Sequence, residues 1–288
     1  MTIFQSRTLI EPFAGGASVG REFLLSRTVD RLILIELDHR MAAFWTAILN
    51  DKIGEELVES VRNFEVPLPD SQILLSLDEK LETVNKVSKE YIDIRKELAA
   101  YSREYLAPFK KKMELLQHSN LALWAFVKNR CSFGGYLDGG FSVQGLQKKL
   151  KDGTYYQGLR SRWNIKNLVA DPQKVRKARS KITFIEGDAF DHLPKYPDAF
   201  AFVDPPYSVG GNGPGVGLYR HNRVDHDKLF GLLKERKGPW VATYNDVPEV
   251  LALVEKYGFE SEQIEMRNLR ADAEYHELLI RPKLIKNL

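Results

Sequence analysis

The chain has one cysteine, Cys131, in 288 residues. A single thiol excludes an internal disulfide and fits a reducing compartment such as the cytoplasm. No apolar run approaches about 18 residues, the length that argues a membrane-spanning helix. The first residues show no charged, apolar and small-residue succession of the kind that marks a signal peptide. The expectation is a soluble cytoplasmic protein with no membrane partner. Internal repeats and low-complexity tracts are missing too, which sets aside solenoids and arrays. The net charge is only +3 at pH 7, so bulk charge singles out no partner. The full dinucleotide fingerprint G-x-G-x-x-G is also lacking, and no metal site is expected.

What is present is a large apolar fraction, 43%, enough for a substantial core in one large domain or two smaller ones. The charge is unevenly spread. Residues 148–181 hold eleven Lys or Arg against two acids, Asp152 and Asp171. Such a run is usually a solvated face. Tyr155, Tyr156 and Trp163 are interleaved with it, and that mixture favours nucleic acid.

Hydrophobic periodicity divides the chain into three parts. In the first, "TLIEPFAGG" reads as a strand entering a glycine loop, and "VGREFLL" as a short helix. "RLILIELD" reads as a buried strand that ends in Glu36 and Asp38. "HRMAAFWTAIL" follows as a helix with Met41, Phe44, Trp45 and Ile48 on one face. The middle part is helical over residues 51–128: "GEELVESVRNF", then "SLDEKLETVNKVSKEYIDIRKELAAYSREYL" beyond Pro67 and Pro69, then "NLALWAFVKNR". "CSFGGYLDGGFSVQ" then suggests a hairpin turning near Asp138-Gly139.

The last part returns to alternating strands and helices. "KITFIEGDAF", "AFAFVDPPY" and "PWVATYND" read as strands. "DHDKLFGLLKE" and "PEVLALVEKYG" read as helices, the second ended by Gly258. "FESEQIEMRN" and "YHELLIRP" pair as a terminal antiparallel hairpin. The expectation is an α/β domain made of residues 1–50 and 171–288, interrupted by a helical insert over 51–170 that ends in a β-hairpin.

Two loci carry chemistry. "EPFAGGASVG" follows a strand and opens a helix, as in dinucleotide folds, but Ala17 stands where a glycine of the fingerprint belongs. Glu36, about 20 residues on at the next strand end, suits a ribose. A ribose acid without the full phosphate fingerprint suits a nucleoside cofactor lacking a pyrophosphate, and S-adenosylmethionine is one. The second locus is "AFVDPPYSVGG". Two adjacent prolines cannot donate to a sheet ladder, so the strand stops there and leaves Asp204 and Tyr207 at a rigid tip. Strand tips are where open α/β sheets take their ligands.

"EPFAGG", "LIELD", "NRCSFGGY", "GDAF", "DPPY" and "YHELLI" together resemble a Dam-like DNA adenine-N6 methyltransferase of the alpha group, over nearly the whole chain. The resemblance implies a Rossmann-like S-adenosylmethionine-dependent methyltransferase sheet with 51–170 as the target-recognition insert. It also implies methyl transfer to a flipped-out adenine of double-stranded DNA at a specific sequence, in a restriction-modification, phage or orphan setting. Phe13, Ala14 and Gly15 would line the cofactor, with Glu36 on its ribose and Asp188 on its adenine. Asp204, Pro205, Pro206 and Tyr207 would hold the target base. Asn129, Arg130, Phe133 and Tyr136, from a hairpin spanning Asn129 to Val143, would touch DNA, as would Arg160, Arg162 and Lys166.

The tetrapeptide itself is only moderately specific, and RNA or protein methylation is the alternative substrate class. Members of the family usually begin with a segment holding a Lys and a Gly-Gly pair, which is not found before Thr8. That departure leaves open a relative that binds DNA without catalysis, or one that needs a partner subunit. Cytosine C5 methylation requires a cysteine nucleophile. Cys131 lies in the insert, away from the strand tip, so that reading is set aside.

Overall fold

The computed structural model describes residues 6–132, 135–141, 159, 162–206, 224–266 and 275–283. The chain divides into two compact units, Met1–Leu49 with Lys174–Leu288, and Asn50–Gln173. Among the described residues no helix is long and apolar enough to cross a membrane.

The first unit is built on a seven-stranded sheet. Its strands are β1 (Thr8–Glu11), β2 (Arg31–Glu36), β3 (Ile182–Glu186), β4 (Phe200–Val203), β5 (Trp240–Asn245), β6 (Phe259–Met266) and β7 (Tyr275–Pro282). Their order across the sheet is β3-β2-β1-β4-β5-β7-β6. β1 to β5 are mutually parallel, and β7 runs antiparallel to both β5 and β6. The terminal hairpin read from the sequence is therefore present. Its second strand lies inside the sheet, between its hairpin partner and β5.

Parallel strands need crossover connections, and those connections cover the sheet faces. Here they include α1 (Ser18–Leu25), α2 (His39–Leu49), a four-residue α8 (Ala189–His192), α9 (His226–Glu235) and α10 (Pro248–Tyr257). This explains why β1 and β2 read as continuous apolar runs. Leu9, Ile10, Leu32, Leu34 and Ile35 are all fully buried. One core cluster joins β1, β2, β4, β5 and β7 to α9 and α10 through Ile10, Ile35, Val203, Phe230, Tyr244, Val250 and Ile280. Gly258 ends α10 with a φ of 67°, the left-handed cap that glycine adopts without penalty.

The second unit is helical, with α3 (Asp51–Asn63), α4 (Ser71–Thr83), α5 (Lys89–Ser119) and α6 (Leu121–Cys131). Helix α7 (Ile165–Lys177) follows in the chain. In α6, Leu123 through Val127 are buried without interruption, which marks a helix surrounded by packing on all sides.

Four details differ from the sequence reading. The run over residues 76–106 is two helices. Asn85 Oδ1 accepts from the Val87 N–H, and Ser88 Oγ accepts from the Tyr91 N–H, so local side-chain bonds replace helical ones between α4 and α5. Helix α5 continues through Pro108, where the sequence reading stopped it short. Phe109 and Met113, each 2% exposed, anchor the turn after the proline. Part of the basic run forms α7, and its Arg176 is buried and donates to the Ile48 carbonyl. Finally, Asn129 belongs to the last turn of α6. The expected hairpin is represented, among the described residues, by a single antiparallel bridge between Ser132 and Phe141.

Trp163 departs furthest from its expected role. It is 4% exposed, donates its indole N–H to the Phe64 carbonyl at 3.0 Å, and packs on the rings of Phe64 and Phe126. It is a core residue of the second unit, and no nucleic acid reaches it there. Tyr155 and Tyr156 lie outside the described residues. Trp163→Ala should lower stability in urea titration by about 3–5 kcal/mol, the usual cost of emptying a large aromatic site. Trp163→Phe, which loses mainly the hydrogen bond, should lose about 1–3 kcal/mol.

Candidate active site

The sheet changes direction at its centre. From β1 the chain builds outward through β2 to β3, then returns to place β4 on the other side of β1, with Leu9 opposite Phe200 and Ile10 opposite Ala201. Strand order thus reverses between β1 and β4, the kind of position at which open α/β sheets take their ligands. Glu11 closes β1, Glu36 closes β2, Asp188 follows β3 and Asp204 follows β4. All four acids stand at the same end of one sheet.

Three hydrogen bonds tie the glycine loop after β1 to β2 and α2. The Ala14 N–H donates to the Ile35 carbonyl at 3.0 Å. The Gly15 N–H donates to Glu36 Oε2 at 2.7 Å, and the Trp45 indole N–H donates to the Gly15 carbonyl at 2.8 Å. Gly15 has a φ of 47° and Ala17 has the same value. The position that broke the glycine fingerprint is thus an alanine held in the left-handed region, where a residue other than glycine is strained by about 1–2 kcal/mol. Phe13 packs half-buried against the sheet core, and Ala14 is buried. A Cβ added at Gly15 or Gly16 would meet no atom within 4 Å. Packing among the described residues therefore does not explain the glycine pair, and the space beside them can take a ligand.

Glu36 joins the loop to the exit of β2, because its Oε1 also accepts from the Asp38 N–H at 2.8 Å. Burial pushes its carboxyl above the ordinary value, the Asp38 and Gly15 N–H groups pull against that, and the negative Asp38 adds to the rise. Asp38 itself goes the other way. Burial works against its ionisation, but the Arg40 guanidinium at 2.6 Å outweighs burial and holds the carboxyl below its usual range.

Glu11 is 3% exposed. Its Oε1 accepts from the Gly20 N–H at 2.6 Å, and Oε2 has no hydrogen-bond partner among the described residues. Gly20 permits the approach, since a Cβ there would lie 2.6 Å from Leu32 Cδ1 and 3.1 Å from the Glu11 carboxyl. Burial pushes Glu11 up to about 8, the Gly20 bond opposes this, and the charge of Asp204 adds to it while Arg21 counters. The sequence reading quoted this acid within "EPFAGG" and gave it no role. An acid closing an apolar strand was the available signal.

Asp204 is exposed, and its Oδ1 accepts from the Thr243 hydroxyl at 2.7 Å. Pro205 is buried and Pro206 half-buried. Tyr244, fully buried on β5, and Glu277 on β7 both feel Asp204. Burial raises each, and the Asp204 charge raises each further. The Tyr244 hydroxyl lies 3.1 Å from His226 Nδ1, whose pKa burial lowers to about 4 against the pull of Asp225. Asp188 caps α8, with Oδ1 accepting from the Phe190 N–H at 2.9 Å. Tyr207 lies outside the described residues.

The residues expected to touch DNA belong to the second unit. Asn129 Nδ2 donates to the Gly135 carbonyl at 2.8 Å, and Arg162 Nη1 donates to the Ser132 carbonyl at 3.0 Å. Both brace the glycine-rich loop. Lys128 braces it too, through the Gly139 carbonyl and the face of Phe141, whose ring packs edge-on against Phe109. Phe141 is an aromatic anchor of this loop, and the sequence reading singled out Phe133 and Tyr136 instead. Tyr136 is half-buried, Arg130 lies 3.8 Å from Asp171, and Lys166 is exposed on α7. Phe133 and Arg160 lie outside the described residues.

The raised pKa of Glu11 has a consequence for stability. Between its ordinary value of 4.5 and about 8, the folded chain holds a proton that the unfolded chain releases. Stability therefore falls as pH rises through that window. Urea titrations from pH 5 to 9 should show the decline, and Glu11→Gln should flatten it, leaving the variant more stable than the parent at the alkaline end.

A comparison with protein families matches residues 2–268 to the family described as D12 class N6 adenine-specific DNA methyltransferase. A comparison with curated proteins finds no match. With the family covering most of the chain and the sheet carrying its acids at one end, the chain belongs to the D12 class N6 adenine-specific DNA methyltransferases, which methylate adenine N6 of DNA from S-adenosylmethionine.

Proposed function

We propose that the tetrapeptide Asp204-Pro205-Pro206-Tyr207 holds the target adenine, and that Phe13, Ala14, Gly15, Glu36 and Asp188 hold the cofactor. The observation that carries this reading is the shared location of Glu11, Glu36 and Asp204 at the carboxyl ends of β1, β2 and β4, astride the reversal of strand order.

The residues present fit S-adenosylmethionine. A carboxylate has about four lone-pair sites, so Glu36 retains acceptor capacity for ribose hydroxyls beside the backbone N–H groups it already binds. Glu11 Oε2, without a hydrogen-bond partner among the described residues, suits a cationic donor such as the ammonium of the methionyl end. The open flank of Gly15 and Gly16 suits close approach to the backbone. Asp188, which follows β3 at the same end of the sheet, suits the adenine end, although its cap to Phe190 already gives it a local function.

Bound S-adenosylmethionine supplies a methyl group on a sulfonium sulfur, an electrophile strong enough to need no covalent enzyme intermediate. The protein's task is the nucleophile. Adenine N6 is poor because its lone pair is delocalised into the ring. The Asp204 carboxylate accepts one N6–H, and the Pro205 carbonyl accepts the other in a direction set by the fixed φ of proline. Two acceptors on the two N–H groups draw N6 toward a tetrahedral shape and free its lone pair. Tyr207 stacks on the base. The work is positioning and electrostatics. A stacked adenine is out of reach, so the base leaves the duplex.

We assign target recognition in double-stranded DNA to the second unit. The braced loop over residues 132–141 supplies Tyr136, and exposed Lys166 supplies phosphate contact. The buried single cysteine suits a cytoplasmic enzyme.

Two variants test the division of labour. Asp204→Ala should abolish transfer of tritiated methyl to duplex DNA while calorimetric cofactor affinity stays within about threefold. Glu36→Ala should weaken cofactor binding by about 10- to 100-fold, the loss of bonds to a charged acceptor. Equal loss of binding in both would refute the assignment. Gly16→Ala gives an independent check on the open flank. It should fold with nearly unchanged thermal stability, because its Cβ meets nothing, and should bind the cofactor at least about tenfold more weakly.

A further inference from the structure

β5 contributes a residue to the active site that neither the tetrapeptide nor the cofactor loop contains. β4 and β5 pair in parallel, with Val203 opposite Ala242. One step further along each strand, Asp204 meets Thr243. The Thr243 hydroxyl donates to Asp204 Oδ1 at 2.7 Å, the short distance characteristic of a hydroxyl bound to a carboxylate. An ionised carboxylate only accepts, so the direction of this bond is settled by chemistry.

Thr243 is held from both sides of its strand. On one side is β4. On the other, Leu279 of β7 is its register partner. Its neighbours Ala242 and Tyr244 are buried, so the alternation of β5 is fixed and Thr243 must face the opposite way, where it is only partly buried. A β-branched side chain in a strand also has restricted χ1 freedom. The hydroxyl is therefore a rigid donor. Asp204 is exposed and lies just past the end of β4.

We propose that Thr243 is a positioning residue for methyl transfer, fixing the rotation of the Asp204 carboxylate so that it meets the N6 amino group of the target adenine in one orientation. This rests on the role given to Asp204 above. Thr243 touches neither substrate nor cofactor in this role, and acts through Asp204 alone. Its contribution belongs to the chemical step, because a carboxylate lacking this bond would still let the base and cofactor bind while meeting N6 in the reactive geometry less often. A serine at this position keeps the donor. A valine keeps the shape and strand preference and removes the donor.

The experiment compares Thr243→Val, Thr243→Ser and Asp204→Ala with the parent protein. It measures single-turnover transfer of tritiated methyl to plasmid DNA from a methylation-deficient host. Cofactor affinity by calorimetry, DNA affinity and thermal melting are measured alongside. Thr243→Val should slow single-turnover transfer by about tenfold or more, with both affinities within about twofold and melting unchanged. Thr243→Ser should return the rate to within about threefold of the parent. Asp204→Ala should be inactive. If Asp204→Ala is inactive but Thr243→Val transfers at the parental rate, the positioning role is wrong and the assignment of Asp204 stands. If Asp204→Ala transfers methyl normally, both fall. If Thr243→Val loses melting temperature or affinity along with rate and serine restores none of it, Thr243 is a packing residue and the proposal is overturned.

Discussion

The parallel pairing of β1 with β4 is the constraint on which the site depends. It puts two strands far apart in sequence side by side, and it reverses the direction in which the sheet grows. Such a reversal is where open α/β sheets place their ligands. Glu11 and Asp204 are neighbours for this reason, although 192 residues separate them in the sequence. Their electrostatic coupling is a direct product of the topology.

Burial then gives similar acids different properties. Glu11 has one backbone N–H for one oxygen and nothing described for the other, and its carboxyl is pushed up to about 8. Glu36 answers burial with backbone N–H groups on both oxygens. Asp38 has a guanidinium at 2.6 Å and is held low. Desolvation acts on all three, and the donors available to each decide the outcome. The glycine loop is tied into this arrangement. Gly15 gives its N–H to Glu36 and its carbonyl accepts from Trp45, so Glu36, the loop and α2 are tied together.

The second unit shows how polar and aromatic side chains beside glycines are spent on architecture. Asn129, Lys128 and Arg162 all donate to carbonyls of the loop between Ser132 and Phe141. A glycine-rich loop has few side chains of its own with which to hold its shape, so its backbone is gripped from outside. Trp163 is likewise consumed by the core and bonded to the Phe64 carbonyl. Positive charge in a sequence is therefore a poor guide to a nucleic-acid surface until each guanidinium and ammonium has been traced to its partner. Lys166 remains exposed, whereas Arg162 is engaged.

The sequence by itself determined the strands, most of the helices and the identity of the chemical groups. Those features are written in local signals: apolar runs where a strand is covered on both faces, a 3.6-residue period where a helix has one, a glycine at the left-handed end of α10, and two prolines that stop β4. Local signals failed where short-range competition was close, as between α4 and α5, or where packing overrode a breaker, as at Pro108 in α5. Only the tertiary structure decided which residues meet. Glu11 was visible as an acid closing a strand, but its burial and its coupling to Asp204 arise from strand order. Thr243 looked like any β-branched strand residue, and its bond to Asp204 exists because β5 lies beside β4 in a register that sets Val203 opposite Ala242 and brings the next residue of each strand together. Trp163 looked like part of a basic, aromatic surface and is core, because burial is set by the whole fold. Pairing, register and burial are sums over contacts distant in the chain, and no window of sequence contains them.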